Sequence, residues 1–387
     1  MSSFVARSLL KHANKRLTAV QSACITSKAM KLEKEQRPPP FPYKTKHFGY
    51  LQCFTDNTVK RFNENTKLIV VEGSIGSGKS AVAKKLADEL DMKHYPEANL
   101  DMFFVNDYGF DMRQLDHKLP LGAKSFDVKD FYKNPFHWNV AKFQLRMYQM
   151  RFLQYVEALC HMMNTGQGVV LERCVYSDIT FMETLRKFNY INKGVKSYYY
   201  QLRDATLPEL LQPHLVIYLD VPVNTIMDRI KKRNIDYEVN SKVLTKEYLS
   251  TLEEEYRKYL SGISKHAELL VYDWSAFGDI EVVVEDVERI DFDSYDKYDE
   301  KTRDWRMLDY WDWVKKRLVY TSRLQYLLAL FNVPRFDVPE IIMTTEEADA
   351  FHEVWDAAPG NQYTIGYNKS MGDKGILFKM SRRPRTD

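Results

Sequence analysis

Apolar residues along this chain fall either into short β-branched runs or into stripes of helical period. LIVV at 68–71, GVVL at 168–171 and LVIYL at 215–219 have the length of strands. Val82, Leu86, Ala87 and Leu90 follow the first run at helical spacing, so residues 68–90 read as strand, loop and helix. VYDW at 271–274 and GDIEVVVEDVERI at 278–290 close the alternation with a last strand and a last helix. The expected fold is α/β, a central parallel sheet flanked by helices, with a C-terminal extension. Beyond residue 293 the chain turns aromatic and charged, and Leu318, Leu324, Tyr326, Leu327, Leu328 and Phe331 offer one apolar helical face. Rich in Trp, Tyr and Arg, this segment (294–387) is expected to be an interface arm outside a domain that is already complete.

The N-terminus has a different pattern. Arg7, Lys11 and Lys15 recur every fourth residue and oppose Val5, Leu9, Ala13 and Leu17 on a helix that turns about 100° per residue. No acidic residue occurs before Glu33. Residues 1–32 are therefore expected to be a mitochondrial transit peptide. The prolines of Arg37-Pro38-Pro39-Pro40-Phe41-Pro42 fix φ and lack a donor, so that segment cannot be helical, and 33–66 reads as an N-terminal arm and proline-rich linker.

Composition narrows the function. Hydrophobic residues at 44% and charged residues at 28% describe a globular protein and not a disordered one. Lys+Arg 56 against Asp+Glu 53 leaves +3, too small a surplus for a nucleic-acid binder working through a general basic field. The apolar runs fall far short of the ~20 residues that cross a bilayer, so no membrane span is expected. Cys24, Cys53, Cys160 and Cys174 form no CxxC pair and read as buried free thiols. The histidines show no paired spacing that would hold a transition metal.

Chemistry enters at Gly73-x4-Gly78-Lys79-Ser80, directly after the first strand and before the first helix. This is the P-loop pattern: Gly73, Gly76 and Gly78 free the backbone so that successive N–H groups point at phosphate oxygens. Lys79 is expected to reach the β- and γ-phosphates and Ser80 to hold Mg²⁺. The glycines fall as GxxGxG, so the loop gives no FAD or NAD fingerprint. Glu172 and Arg173 follow GVVL, at the carboxyl end of a parallel strand, where open α/β sheets bind ligands. Gln144 and Arg151 are seven residues apart and share a helix face.

Further motifs carry a resemblance. His94-Tyr95-Pro96-Glu97, FYKNPFHW at 131–138, Gln144 with Arg151, VVLERCVYSD at 169–178, DRIKKRN at 228–234 and KEYLSTLEEEY at 246–256 resemble the deoxynucleoside kinases over 67–293. TGQGVVLER at 165–173, PHLVIYLDVPV at 213–223, VVEDVE at 283–288 and YTIGYNKSMGDKG at 363–375 resemble one offshoot, the kinase-like accessory subunits of mitochondrial complex I. The kinase resemblance implies Glu97 as base for a sugar 5′-hydroxyl and Glu172 beside Ser80 at Mg²⁺. It implies Arg173 on a phosphate or the 5′-oxygen. Gln144, Arg151 and Asp178 would read the base, Tyr132 and Glu238 would contact the sugar 3′-hydroxyl, and Arg229 and Arg233 would serve as lid cations.

The sequence also departs from the kinase pattern. Ile235 replaces a lid arginine, Tyr237 a carboxylate, Cys174 a serine, and Glu97-Ala98 stands for Glu-Pro. The resemblance thus implies an intact cradle for a nucleotide, ATP or a deoxynucleotide, with Mg²⁺, under a damaged lid. The expected role is a non-catalytic subunit on the matrix side of the inner membrane, partnered by other complex I subunits. The alternative is an active mitochondrial kinase that transfers the ATP γ-phosphoryl group to a deoxynucleoside 5′-hydroxyl.

Overall fold

The computed structural model describes residues 24–30, 38–296, 298–335 and 337–375. The opposed faces of residues 5–17 lie outside them. Strands β1 (Leu68–Gly73), β2 (Lys93–Tyr95), β3 (Val169–Glu172), β4 (Leu215–Asp220) and β5 (Glu268–Asp273) form one sheet in the order β2-β3-β1-β4-β5. Every pairing is parallel, as the alternation of runs and stripes predicts. The longer helices are α1 (Lys79–Glu89), α2 (Val140–Thr165), α3 (Ile179–Lys187), α4 (Lys193–Thr206), α5 (Val223–Arg233), α6 (Lys246–Ile263), α7 (Ile280–Glu288), α8 (Tyr310–Ser322) and α9 (Thr345–Ala357).

β1 is central, and all six of its residues are buried. Successive strands are added on either side of it, so the strand order reverses at β1. The crevice beyond the carboxyl ends of β1 and its neighbour β3 is where such a sheet accepts a ligand. The P-loop leaves β1 there, Glu97 follows β2, and Arg173 follows β3.

The extension does not stand apart from this domain. α8 packs along α2, where Tyr320 joins the main core, while Val314 and Leu318 are buried with Phe48 and Cys53 of the N-terminal arm. Arg317 is fully buried. Its guanidinium donates to Asp56 Oδ2 at 2.5 Å, Thr58 Oγ1 at 3.1 Å and Asn164 Oδ1 at 2.9 Å, and lies 3.8 Å from the Phe48 ring centroid. The single apolar face expected over 318–331 is interrupted, because the helix ends and the chain bends at Arg323 (φ −118°, ψ 37°). Leu324 and Tyr326 are consequently exposed while Leu327 is buried. Phe331 packs its ring against Tyr148 and Phe152 of α2. The expectation that this segment lies outside a completed domain is thus corrected: Tyr320, Leu327 and Val338 belong to the main core, since the aromatic face of α2 would otherwise meet water.

The N-terminal segments are built in as well. Ile25 is buried, Ser27 N donates to Glu288 Oε1 at 2.6 Å, and Asn65 Nδ2 donates to the Thr26 carbonyl at 2.7 Å. The proline segment is non-helical, as its residues require, and Phe41 N donates to the Asn164 carbonyl at 3.0 Å. Among the described residues no helix is long and apolar enough to cross a membrane. Cys53, Cys160 and Cys174 are buried free thiols, and Cys24 is free and partly exposed.

Candidate nucleotide site

The P-loop has the backbone its glycines allow: φ is 74° at Gly76 and 97° at Gly78, a region closed to most side chains. Lys79 opens α1 and is buried, with its Nζ donating to the Ser74 carbonyl at 2.9 Å. Burial lowers its pKa to about 7, and the Arg173 charge acts in the same direction, against the pull of Glu97, Glu72 and Glu172. Two further polar groups of the loop, the Ser74 and Ser77 hydroxyls, are buried without a hydrogen-bond partner. A buried ammonium bonded to a backbone carbonyl, unpaired hydroxyls and a helix N-terminus together form a cradle suited to an anion.

Arg173 holds the centre of the site from an unusual backbone position, φ 59°. Its guanidinium pairs with Glu97, and donates to the Gly73 carbonyl and Tyr256 OH, each at 3.0 Å. Arg151 Nη2 lies 3.6 Å from the same Glu97 carboxylate. Burial pushes the Glu97 carboxyl up, but Arg173, Lys79 and Arg151 overcome it and hold the pKa down to about 2.

At the far end, Asp178 is fully buried and accepts from Gln144 Nε2 at 2.9 Å, from Tyr199 OH at 2.7 Å and from Arg151 Nη1. The shared face of Gln144 and Arg151 is thereby used as the seven-residue spacing predicts. At the near end Ser80 Oγ donates to Glu172 Oε2 at 2.5 Å, so the hydroxyl and carboxylate that would hold Mg²⁺ do meet.

These groups surround a cavity of about 950 Å³. Gly76, Gly78, Lys79, Ser80, Glu97, Tyr132, Gln144, Arg151, Arg173, Arg233 and Glu238 all line it. Gly73, Glu172 and Asp178 stand one contact behind the wall and bond to residues that form it. Arg229 is placed elsewhere. Its guanidinium donates to the Ser77, Trp274 and Ser275 carbonyls and stacks over Phe277, bracing the loop from outside the cavity. Arg233, the lid cation that does face the cavity, is paired with Glu238.

Two participants were not among the residues read from sequence. Glu72, in β1, is completely buried; burial pushes its carboxyl up to about 7, against a hydrogen bond from Ser177 and the charges of Arg173 and Lys79. The available signal was a lone glutamate inside an apolar strand run that leads into a P-loop. Tyr256, which supports Arg173, sits in a helical stripe that reads simply as core.

A model of the deoxynucleoside kinase family matches residues 69–304. NADH dehydrogenase (ubiquinone) 1 alpha subcomplex subunit 10, mitochondrial, of Mus musculus is 37% identical over 328 residues, covering 84% of this chain and 87% of the relative. Its Bos taurus counterpart is 34% identical over 328 residues, covering 84% and 90%. Deoxyguanosine kinase of Dictyostelium discoideum is 29% identical over 237 residues, covering 61% and 74%. A match of 84% of this chain necessarily takes in α8, so the likeness to the first two relatives runs beyond the kinase fold into the extension. The chain belongs to the deoxynucleoside kinase family, on the branch whose members are named subunit 10 of the mitochondrial NADH dehydrogenase 1 alpha subcomplex.

Proposed function

We propose that this protein is an accessory subunit of mitochondrial complex I, on the matrix side of the inner membrane, that binds a nucleotide in its P-loop cavity and does not transfer phosphoryl groups. Relatives named as subunits of the mitochondrial NADH dehydrogenase 1 alpha subcomplex support the partner and the mitochondrial location. Nucleotide binding rests on the buried Lys79 ammonium, whose bonded partner is a backbone carbonyl and not a carboxylate. ATP or a deoxynucleotide fits the 950 Å³ cavity, with phosphates at residues 73–80 and the base toward Gln144 and Arg151.

Loss of catalysis rests on the lid. In-line transfer builds charge on the moving phosphoryl group, and a well-placed arginine can be worth ~10³–10⁵ in rate. Here Ile235 offers no charge and Arg233 is neutralised by Glu238. Glu97, held at about 2, is a weak proton acceptor. One feature favours the active-kinase reading: Glu97 and Arg173 face the cavity side by side, as base and clamp would.

Thermal unfolding with nucleoside mono-, di- and triphosphates tests the binding part. Ligand at ~100 times Kd should add about 2.7 kcal/mol, and Lys79→Ala should remove most of it. No shift with any of these in the folded protein would leave a purely structural subunit. Turnover of deoxynucleosides should be absent or very slow, with partial recovery in Ile235→Arg. Brisk turnover of the natural chain, abolished by Glu97→Gln, would establish the kinase instead.

A further inference from the structure

The run YTIGYNKSMGDKG at 363–375 lies past the end of the family match at residue 304, and none of its residues lines the cavity. It folds on itself around Asn368, which is buried. Asn368 Nδ2 donates to the Tyr363 carbonyl at 2.8 Å, its Oδ1 accepts from Tyr363 N at 3.0 Å, and its backbone N donates to Asp373 Oδ2 at 2.8 Å. The loop so formed closes on one side chain from a distant part of the chain. Tyr108 OH donates to Asp373 Oδ2 and accepts from Gly366 N at 3.0 Å and from Asn368 Nδ2 at 3.2 Å. A second tie runs beside the first. Asn106 Nδ2 donates to the Pro359 carbonyl at 2.7 Å and to Asn361 Oδ1 at 3.1 Å, and Asn361 Nδ2 reaches Met112 Sδ at 3.5 Å. Between these ties Gly360, at φ 83°, approaches the Tyr108 ring so closely that a Cβ would stand 2.5 Å from it.

The segment held in this way is cavity wall. Asp101, Asp111 and Arg113 line the nucleotide cavity, and Met112 stands between the last two. Asn106 turns the chain that joins them: its Oδ1 accepts from Tyr108 N at 3.1 Å and Phe110 N at 3.0 Å, and Val105 bridges to Asp111. Arg113 pairs with Asp101 at 2.7 Å and with Asp111 at 2.9 Å, which ties the two ends of this wall together. The fastening of the C-terminal run is mostly polar. α9, which leads into it, has no buried residue, and between 358 and 375 only Ala358, Gly360, Asn361 and Asn368 are buried. A segment that buries so little apolar surface opens at far lower free energy than the whole domain unfolds.

We propose that residues 358–375 are a strap that opens and closes on the wall of the nucleotide cavity, and that bound nucleotide holds it closed. The inference rests on the nucleotide-binding reading above and adds a regulation of that site. A ligand in contact with Asp111 or Arg113 favours the wall position that the closed strap also favours, so each stabilises the other. Linkage makes the effect reciprocal: the factor by which nucleotide favours closure is the factor by which closure favours nucleotide. Occupancy of the cavity is thereby reported at the surface of the C-terminal extension.

Hydrogen exchange of the full chain, with and without saturating ATP, reads this coupling directly, and stopped-flow release of a fluorescent ATP reads it in reverse. ATP should slow amide exchange at 361–373 roughly 10-fold, within the usual range for coupled sites, alongside protection of the P-loop at 73–80. Asn368→Ala, which removes the centre of the strap, should weaken ATP by a similar factor through faster release. Tyr108→Phe keeps the ring, loses the hydroxyl and should act in the same direction. A tie that is merely structural would let Asn368→Ala melt earlier yet leave exchange at 361–373 insensitive to ATP. The proposal is overturned if ATP protects 73–80 and not 361–373, or if both variants release ATP as slowly as the natural chain. Should Asn368→Ala not fold, the exchange measurement on the natural protein decides by itself. Protection at neither segment would remove the nucleotide-binding reading and the strap with it, a result distinct from protection confined to the P-loop.

Discussion

Glu72 and Lys79 lie on either side of the P-loop with pKa values displaced toward each other, and the pH dependence of stability follows from both. Glu72 rises from 4.5 to about 7 on folding. Between those values the unfolded chain has released a proton that the folded chain retains, so stability falls as pH rises, by an amount on the order of 3 kcal/mol. Lys79 drops from 10.5 to about 7. Above pH 7 the unfolded chain holds a proton that the folded chain lacks, so this contribution grows with rising pH and is lost as pH falls toward 7. Urea unfolding of the empty protein should show Glu72→Gln flattening the decline between pH 4.5 and 7. It should show Lys79→Met flattening the rise above 7. Phosphate beside Lys79 restores its charge, so nucleotide binding at pH 8 should take up protons, measurable as a dependence of the calorimetric heat on buffer.

The same residues mark what a sequence reveals at this scale. The P-loop spacing exposes Lys79 and Ser80 because the chemistry is contiguous. Glu97, Arg173 and Asp178 can be named from motifs, but their pairings join separate strands and helices and are set by the sheet register. Arg229 reads as a lid cation from its place beside Arg233. One turn of helix separates the two, and this is enough to turn Arg229 onto backbone carbonyls and leave Arg233 facing the cavity.

Among the elements, α8 sets the largest expectation. Arg317 ties it to the N-terminal arm through Asp56 and Thr58 and to α2 through Asn164. Removing one partner of a buried ion pair leaves the other uncompensated, so Arg317→Ala should cost about 3 kcal/mol or more in denaturant unfolding. Truncation near Asp293 should then destabilise the P-loop domain itself, because Tyr148, Phe152 and Asn164 lose their cover. A truncated chain that melts as cooperatively and as late as the full chain would contradict this account of α8. Residues 24–30 set a second expectation. Thr26 and Ser27 bond to Asn65 and Glu288, so a cleavage at residue 32 would remove these contacts, whereas one at or before Cys24 would keep them. N-terminal sequencing of the mitochondrial protein checks it: a mature chain starting at 33 would show that these contacts are dispensable.

Across the whole molecule, the parallel sheet was legible because four of its five strands are apolar runs that alternate with helical stripes. β2 is only the three residues Lys93–Tyr95 and carries no such run, so the pattern does not show it. The folding back of the extension was not legible. Its apolar positions break phase at Arg323, and its anchor is an arginine, a residue type that sequence patterns assign to surfaces. The result is a kinase-type cavity in a chain whose likeness to relatives named NADH dehydrogenase (ubiquinone) 1 alpha subcomplex subunit 10 extends past the kinase fold into α8. The most direct measurement is native purification of complex I from mitochondria that carry this chain tagged at its C-terminus, followed by subunit inventory and mass spectrometry of released nucleotide. The account predicts that the chain co-migrates with the complex and releases a nucleotide, and that Lys79→Ala loses the nucleotide. A chain that runs free of complex I and phosphorylates deoxynucleosides would contradict it.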